Sequence, residues 1–363
     1  MVNQDGYSYE RHRLRWWHVP LLLLLVAGTA YIVWSRGESR GARGEGRGSD
    51  PWLEREVQRC EGMVFGTVYH ITYRHGGELD DSIKTVLRRV DNSLSPFNPQ
   101  STITAVNENT DLRADGMLAE VLTLAAEVSR ETDGAFDVTV APLVNLWGFG
   151  FKNMDAVTEE KIDSLRQYVG IGKVRLQGGR IVKSDPNVML DCGAIAKGYG
   201  VDAVGRMLER QGVGSYMVEI GGEVRLRGCN PRGKMWNIGI TKPEDDSLNV
   251  RSDIEQVLQL TDLSMATSGN YRNFYVKNHK KYAHTIDPRT GYPVQHSILS
   301  STVLAADCAV ADAYATSFMV LGLDSAKRVL ERHPELMAFF IYATDDGKTD
   351  EWCSPGLERL LVK

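Results

Sequence analysis

The chain has 363 residues, 42% of them hydrophobic, and a formal net charge of −5, enough for one large domain or two ordinary ones with a real core. The first 50 residues hold seven arginines against five acids, so the remainder carries −7; lacking a basic stripe interleaved with aromatics, that body is a poor partner for nucleic acid. Five scattered cysteines (Cys60, Cys192, Cys229, Cys308, Cys353) form no CxxC pair or Cys/His cluster, give no sign of a zinc or iron–sulfur centre, and are expected free or joined at most once.

Residues 1–15 read as a cytoplasmic tail carrying Arg11, Arg13 and Arg15. The run "WWHVPLLLLLVAGTAYIVW" follows, uncharged from Val19 to Trp34 and edged by Trp16, Trp17, Tyr31 and Trp34. As a helix it would span about 28 Å, close to the thickness of a hydrocarbon core. Residues 16–35 are therefore a transmembrane anchor or a signal sequence. Small residues at 27–30 offer a cleavage site, but the apolar run continues past them, which favours an uncleaved anchor. Residues 36–52, rich in Gly and Arg, form a flexible linker. Residues 53–363 make the body, expected outside the cytoplasm if the N-terminus stays in.

Along the body, "MVFGTVYHITY" (63–73) alternates as a strand. Ile83, Val86, Leu87 and Val90 fall at helical spacing, as do Leu118, Val121, Leu122 and Ala125, with Gly134 as a stop. "GRIVKSDPNVMLDCG" reads as two short strands around Asp185-Pro186, and a helix from near Ala194 turns Val201, Val204 and Leu208 inward. "SYMVEIGGEVRLRG" is strand, Gly-Gly turn, strand; more strand material follows to Gly269; "YAHTIDPRTGYPV" is a loop. "CAVADAYATSFMVLG" and "SAKRVLERHP" are helices, and "LMAFFIYAT" closes the body as a buried strand. Strands and helices mix without regular βαβ alternation, which favours α+β over a doubly wound sheet.

Four stretches could carry chemistry. In "LDCGAIAKGYG", Gly193 and Gly198 have P-loop spacing, but Lys197 precedes the second glycine and no Ser or Thr follows it. A strand–turn–helix there would welcome an anion, with Lys197 adding a point charge; the plain alternative is Asp191 as an N-cap and a solvated Lys197. Asp312 and Thr316, four apart on one helical face, are two hard oxygen ligands suited to Mg²⁺, or else a surface Asp and a Thr bonded to its own backbone. His284, before a sharply turning loop, is a candidate general base or simply a hydrogen-bonding group. Gly221-Gly222, beside Glu219 and Glu223, permits close backbone approach to a ligand or makes a tight hairpin.

Taken together, "FGTVYHITY", "LSPFNPQSTITAVN", "TDGAFDVTVAPLVNLWGFG", "LDCGAIAKGYGVDAV", "VEIGGEVRLRG", "ATSGNYRNFY", "HTIDPRTGYPV" and "DCAVADAYATSFMVLG" resemble, in order, the blocks of the ApbE family of FAD:protein FMN transferases. The resemblance implies an α+β, T-fold-type body. It also implies an enzyme that splits FAD at its diphosphate, attaches FMN by a phosphoester to a threonine of a target flavoprotein, and releases AMP with Mg²⁺. Such targets are typically subunits of electron-transport complexes at the membrane, which agrees with an inner-membrane anchor and a periplasmic or extracytoplasmic body.

By motif, the resemblance assigns Asp312, Thr316 and the Ala194 carbonyl to the metal, and Phe65, Phe97, Ala135, Phe136, Asp137, Asp191, Lys197 and Ile286 to the flavin nucleotide. It makes His284 the catalytic base. Phe65 stands where many members have Met, and Phe97 where many have Tyr, so Phe97 lacks a hydroxyl. An FAD pyrophosphatase using water as acceptor, and a membrane-tethered flavin-binding protein, are the alternatives.

Overall fold

A computed structural model describes residues 56–151, 157–241, 254–269, 274–277, 280–283, 285–295, 297–344, 346 and 348–362. The expected tail, membrane segment and linker lie outside these residues, as does His284. Among the described residues no helix is long and apolar enough to cross a membrane.

An eight-stranded sheet forms the frame. Its strands are β1 (Val57–Val64), β2 (Thr67–Arg74), β5 (Tyr216–Ile220), β6 (Glu223–Arg227), β9 (Ser264–Gly269), β12 (Ile298–Ala305), β13 (Met337–Ala343) and β14 (Thr349–Cys353), laid side by side in that order, and every pairing is antiparallel. Among the described residues, three two-stranded ribbons, β3–β4 (Val174–Gln177, Arg180–Lys183), β7–β8 (Trp236–Thr241, Ile254–Leu260) and β10–β11 (Phe274–Lys277, Lys280–Ala283), pair with none of its strands. The helices are α1 (Asp80–Leu94), α2 (Thr102–Asn107), α3 (Gly116–Glu131), α4 (Ala141–Leu146), α5 (Glu159–Arg166), α6 (Ala196–Arg210), α7 (Cys308–Leu321) and α8 (Leu323–Arg332). This is the α+β arrangement expected from the mixed element order.

Alternation along the strands divides the core. Val218, Val303 and Phe340 face the helices, while Val224, Leu304 and Phe339 face the β7–β8 ribbon, whose Trp236, Ile238 and Ile240 point back at them. The apolar stripes expected on α1, α3 and α6 are all buried on the helical side, and all five cysteines are free.

Three local expectations need correction. Residues 63–73 are a hairpin, not one strand: Phe65 (φ 51°) and Gly66 (φ 74°) make the two-residue turn with Val64 opposite Thr67. Positive φ at both central positions is what a type I′ turn needs, and Phe in the first of them hides it from the pattern. Residues 188–192 form no strand. The Asn107 amide takes the place of a neighbouring strand, donating to the Leu190 carbonyl (2.9 Å) and accepting its N–H (2.7 Å). The body also does not close at β13, because β14 pairs with it as an edge strand.

The crossing of α6 and α7 positions the site. A Cβ on Gly198 would lie 2.4 Å from the Cys308 carbonyl oxygen, so only glycine permits this approach. Asp202 on α6, 1% exposed, accepts the N–H groups of Cys308 and Ala309 (both 2.9 Å). It thereby caps α7 from a neighbouring helix, since Asp307 at the N-cap makes no such bond itself. Arg225 on β6 completes the brace, with Nη1 2.6 Å from Asp202 and 2.8 Å from Asp307.

Candidate active site

A cavity of about 780 Å³ opens where the Phe65 turn, residues 135–149, the start of α6, the Gly221 turn, the end of β9 and the middle of α7 converge. Ten of the twelve residues singled out above line it: Phe65, Ala135, Phe136, Asp137, Asp191, Ala194, Lys197, Ile286, Asp312 and Thr316. Phe97 does not. It is 72% exposed and meets Phe151 edge-on, with ring centroids 6.3 Å apart.

The apolar end is held by backbone devices. Gly200 lets the Phe65 ring lie directly on α6, since a Cβ there would be 2.7 Å from the ring. Ile286 packs with Leu143, Leu146 and Trp147, and the Trp147 indole donates to the Gly291 carbonyl (2.8 Å), fixing the loop against α4. Asp287 holds that loop from within by accepting from the Arg289 backbone and guanidinium, each at 2.9 Å. Asp137 accepts from the Thr139 N–H (2.8 Å) and hydroxyl (2.6 Å); burial raises its carboxyl pKa and these bonds oppose the rise.

The polar end is built at the α6 start. Asp191 does not N-cap the helix. It accepts the Gly193 N–H (2.7 Å) in a side-chain turn, and burial raises its pKa against that bond. Gly198 donates its N–H to Asp312 Oδ2 (3.0 Å), not to the carbonyl four residues back. Among the described residues no N–H donates to the Ala194 carbonyl, and Ala194 lines the cavity. Thr316 Oγ1 lies 3.0 Å from Ser268 Oγ, so its hydroxyl is directed across the gap between α7 and β9, whereas Ser317 bonds back to its own helix.

Asp312, Thr316 and Ala194 all line this cavity, and a carboxylate, a hydroxyl and a carbonyl are hard oxygens of the kind that suits Mg²⁺. Among the described residues no cluster of three His, Cys, Asp or Glu side chains could hold a metal, so a cation here would draw further oxygens from its ligand.

Lys197 is the cation of this end, one-third exposed, and its ammonium pairs with Glu223, which is 2% exposed. Burial alone would lower the Lys197 pKa, but the carboxylates of Asp312 and Glu223 outweigh it and hold the ammonium charged. Burial lifts the Glu223 carboxyl, with Lys197 opposing and Asp312 adding to the rise. Sequence reading gave Glu223 no role, nor Asp202; the only signal at Glu223 was an acid following a Gly-Gly turn.

That turn is braced by Glu219, which accepts the Gly222 N–H (2.7 Å) through one oxygen and pairs with His70 Nδ1 (2.7 Å) through the other. The Glu219 bond raises the His70 pKa above its ordinary 6.5, against partial desolvation. A raised histidine stabilises the fold fully below the unfolded value and loses that contribution as pH rises through the folded value. The gap in thermal midpoint between the parent and His70→Gln should therefore be wider at about pH 5.5 than at about pH 8.5. An equal gap at both would show that the pair contributes nothing through charge.

Fold and cavity define an α+β protein whose site joins an apolar, ring-lined end to hard oxygens and an ammonium, suited to a flat ligand with an anionic linkage. A family model described as the ApbE family matches residues 65–340. The FAD:protein FMN transferase of Haemophilus influenzae is 38% identical over 313 residues, covering 81% of this chain and 89% of that protein. Flavin transferase ApbE from Vibrio cholerae aligns with a TM-score of 0.76 at 35% identity, covering 85% of this chain and 100% of that one. The apo flavinyl transferase ApbE of Pseudomonas stutzeri aligns at 0.75 and 30%, covering 84% and 97%. The chain belongs to the ApbE family.

Proposed function

We infer that this chain is an FAD:protein FMN transferase, moving the FMN half of FAD onto a threonine of a target flavoprotein and releasing AMP. The observation that carries this reading is the Gly198–Asp312 hydrogen bond. By drawing the helix donor away from Ala194, it collects a carboxylate, a carbonyl and the Lys197 ammonium at one end of a cavity whose other end is apolar.

In this reading the ring system of FAD lies against Phe65 and Phe136, with its diphosphate at Lys197 and the α6 start. Asp312, Thr316 and the Ala194 carbonyl would hold Mg²⁺, which when bound withdraws charge from the diphosphate and stabilises the departing AMP oxygen. Lys197 neutralises a phosphate oxygen and excludes water from it. His284, next to the cavity-lining Thr285, accepts the hydroxyl proton of the incoming threonine as that oxygen attacks the phosphorus on the riboflavin side. The acceptor is a subunit of an electron-transport complex. The apolar residues 16–35 anchor the chain in a bacterial inner membrane with the body on the extracytoplasmic side; Arg36, Arg40, Arg43 and Arg47 balance the arginines that precede the run, so this orientation rests on the run's likeness to a signal sequence.

The test is to incubate the full-length chain with FAD and an exported flavoprotein carrying an acceptor threonine. In-gel flavin fluorescence should appear on the acceptor in step with AMP, vanish with EDTA and return with Mg²⁺. AMP and free FMN without labelling would make the chain a hydrolase, and no AMP at all would make it a binder.

A further inference from the structure

Glu223 begins β6 immediately after the Gly221-Gly222 turn and faces the cavity, yet its side chain is almost wholly buried. One oxygen takes the Lys197 ammonium; the other, Oε2, is shut from solvent and has no hydrogen-bond partner among the described residues. A buried carboxylate oxygen without a partner opposes folding, and well-packed apolar groups in place of such a pair are often no less stable. Stability alone therefore gives a poor account of Glu223. Lys197 supplies the other half of the argument. Its ammonium has three donors, and among the described residues Glu223 is the only hydrogen-bond partner it has. A lysine on the first turn of a helix, three residues past the Ala194 carbonyl, would otherwise sweep its four-carbon stem through many rotamers.

We propose that Glu223 is a positioning residue for FMN transfer: it fixes the Lys197 ammonium at the cavity wall, with the remaining N–H donors free for the diphosphate of FAD. The proposal rests on the reading of Lys197 given above. Glu223 touches no reacting atom, and its effect on rate passes through Lys197. It follows that Glu223→Gln, which keeps the shape and loses the charge, slows the chemical step more than it weakens FAD binding.

The experiment measures kcat and KM for FAD with the full-length chain in four forms: parent, Glu223→Gln, Lys197→Ala and the double variant, each checked by thermal midpoint. Glu223→Gln should lower kcat at least about tenfold while KM moves less than about threefold. In the Lys197→Ala background the same change should cost less than about twofold, because the lysine through which it acts is gone. Glu223→Asp, which keeps the charge on a shorter stem, should recover part of the rate; it also serves as the test variant should Glu223→Gln fail to fold. A folded Glu223→Gln with parental kcat, a full second loss in the double variant, or a parental rate for Glu223→Asp beside an unfolded Gln form would each overturn the inference. If Lys197→Ala transfers FMN at the parental rate, the lysine reading itself falls; if only Glu223→Gln is silent, that reading stands and the positioning role does not.

Discussion

Asp312→Ala is expected to lower FMN transfer about a thousandfold, the loss that follows when several kcal/mol of charge stabilisation leave a phosphoryl-transfer site. The ligand role proposed for Asp312 can be separated from its structural one. Oδ2 accepts the Gly198 N–H and so ties α7 to α6, while the second oxygen accepts no hydrogen bond among the described residues and is free for a ligand at the cavity wall. Asp312→Asn retains an oxygen for Gly198 and removes the charge. It should keep most of the thermal midpoint while losing nearly as much activity as the alanine form. Rates of AMP release, measured across a Mg²⁺ titration beside melting curves, separate the two functions. An Asn variant with parental turnover at limiting Mg²⁺ would remove Asp312 from the ligand set.

The second large effect is expected from Gly198→Ala, a change of one methyl group. Its Cβ would meet backbone on every near side: the Cys308 oxygen at 2.4 Å, the Cys308 carbonyl carbon at 2.7 Å and the Ala309 Cα at 2.9 Å. None of these can swing away as a side chain would, so the helices must separate. Overpacking of this kind costs about 1–3 kcal/mol, and each kcal/mol lowers the midpoint of a domain this size by roughly 2–4 °C. Separation also stretches the Asp202 bonds to Cys308 and Ala309 and the Gly198 bond to Asp312. Activity at a temperature where the variant is fully folded should therefore fall at least about tenfold, since displacement of about 1 Å in a site can cost a hundredfold. Parental activity with a parental melting curve would show that the crossing tolerates a methyl group.

Much of this fold could be read in the sequence because its helices carry one apolar face and its central strands alternate. Ile83, Val86, Leu87 and Val90 are buried as their spacing requires, and the Gly-Gly turn falls between β5 and β6 as read. What escaped reading is the structure made by single non-local bonds. Asn107 reaches 83 residues along the chain to replace a strand at Leu190, and Asp202 reaches 106 residues to cap α7. Neither has a local signature, for a buried Asn or Asp looks the same in sequence as a solvated one. The site divides in the same way. Asp312 and Thr316 share a face at four-residue spacing, which anyone can count. The Lys197–Glu223 pair joins a helix to a strand 26 residues away, and only folding brings it together. Phe97 shows the reverse case, since its motif places it at the flavin and the structure leaves it on the surface beside Phe151.

The most direct test is an anomalous difference map at the manganese edge from crystals of the protein grown with FAD and Mn²⁺. A peak within coordination distance of Asp312, Thr316 and the Ala194 carbonyl, beside the diphosphate and with the flavin ring at Phe65 and Phe136, is the expected result. Bound FAD with its diphosphate elsewhere, or manganese held away from those three oxygens, would contradict it.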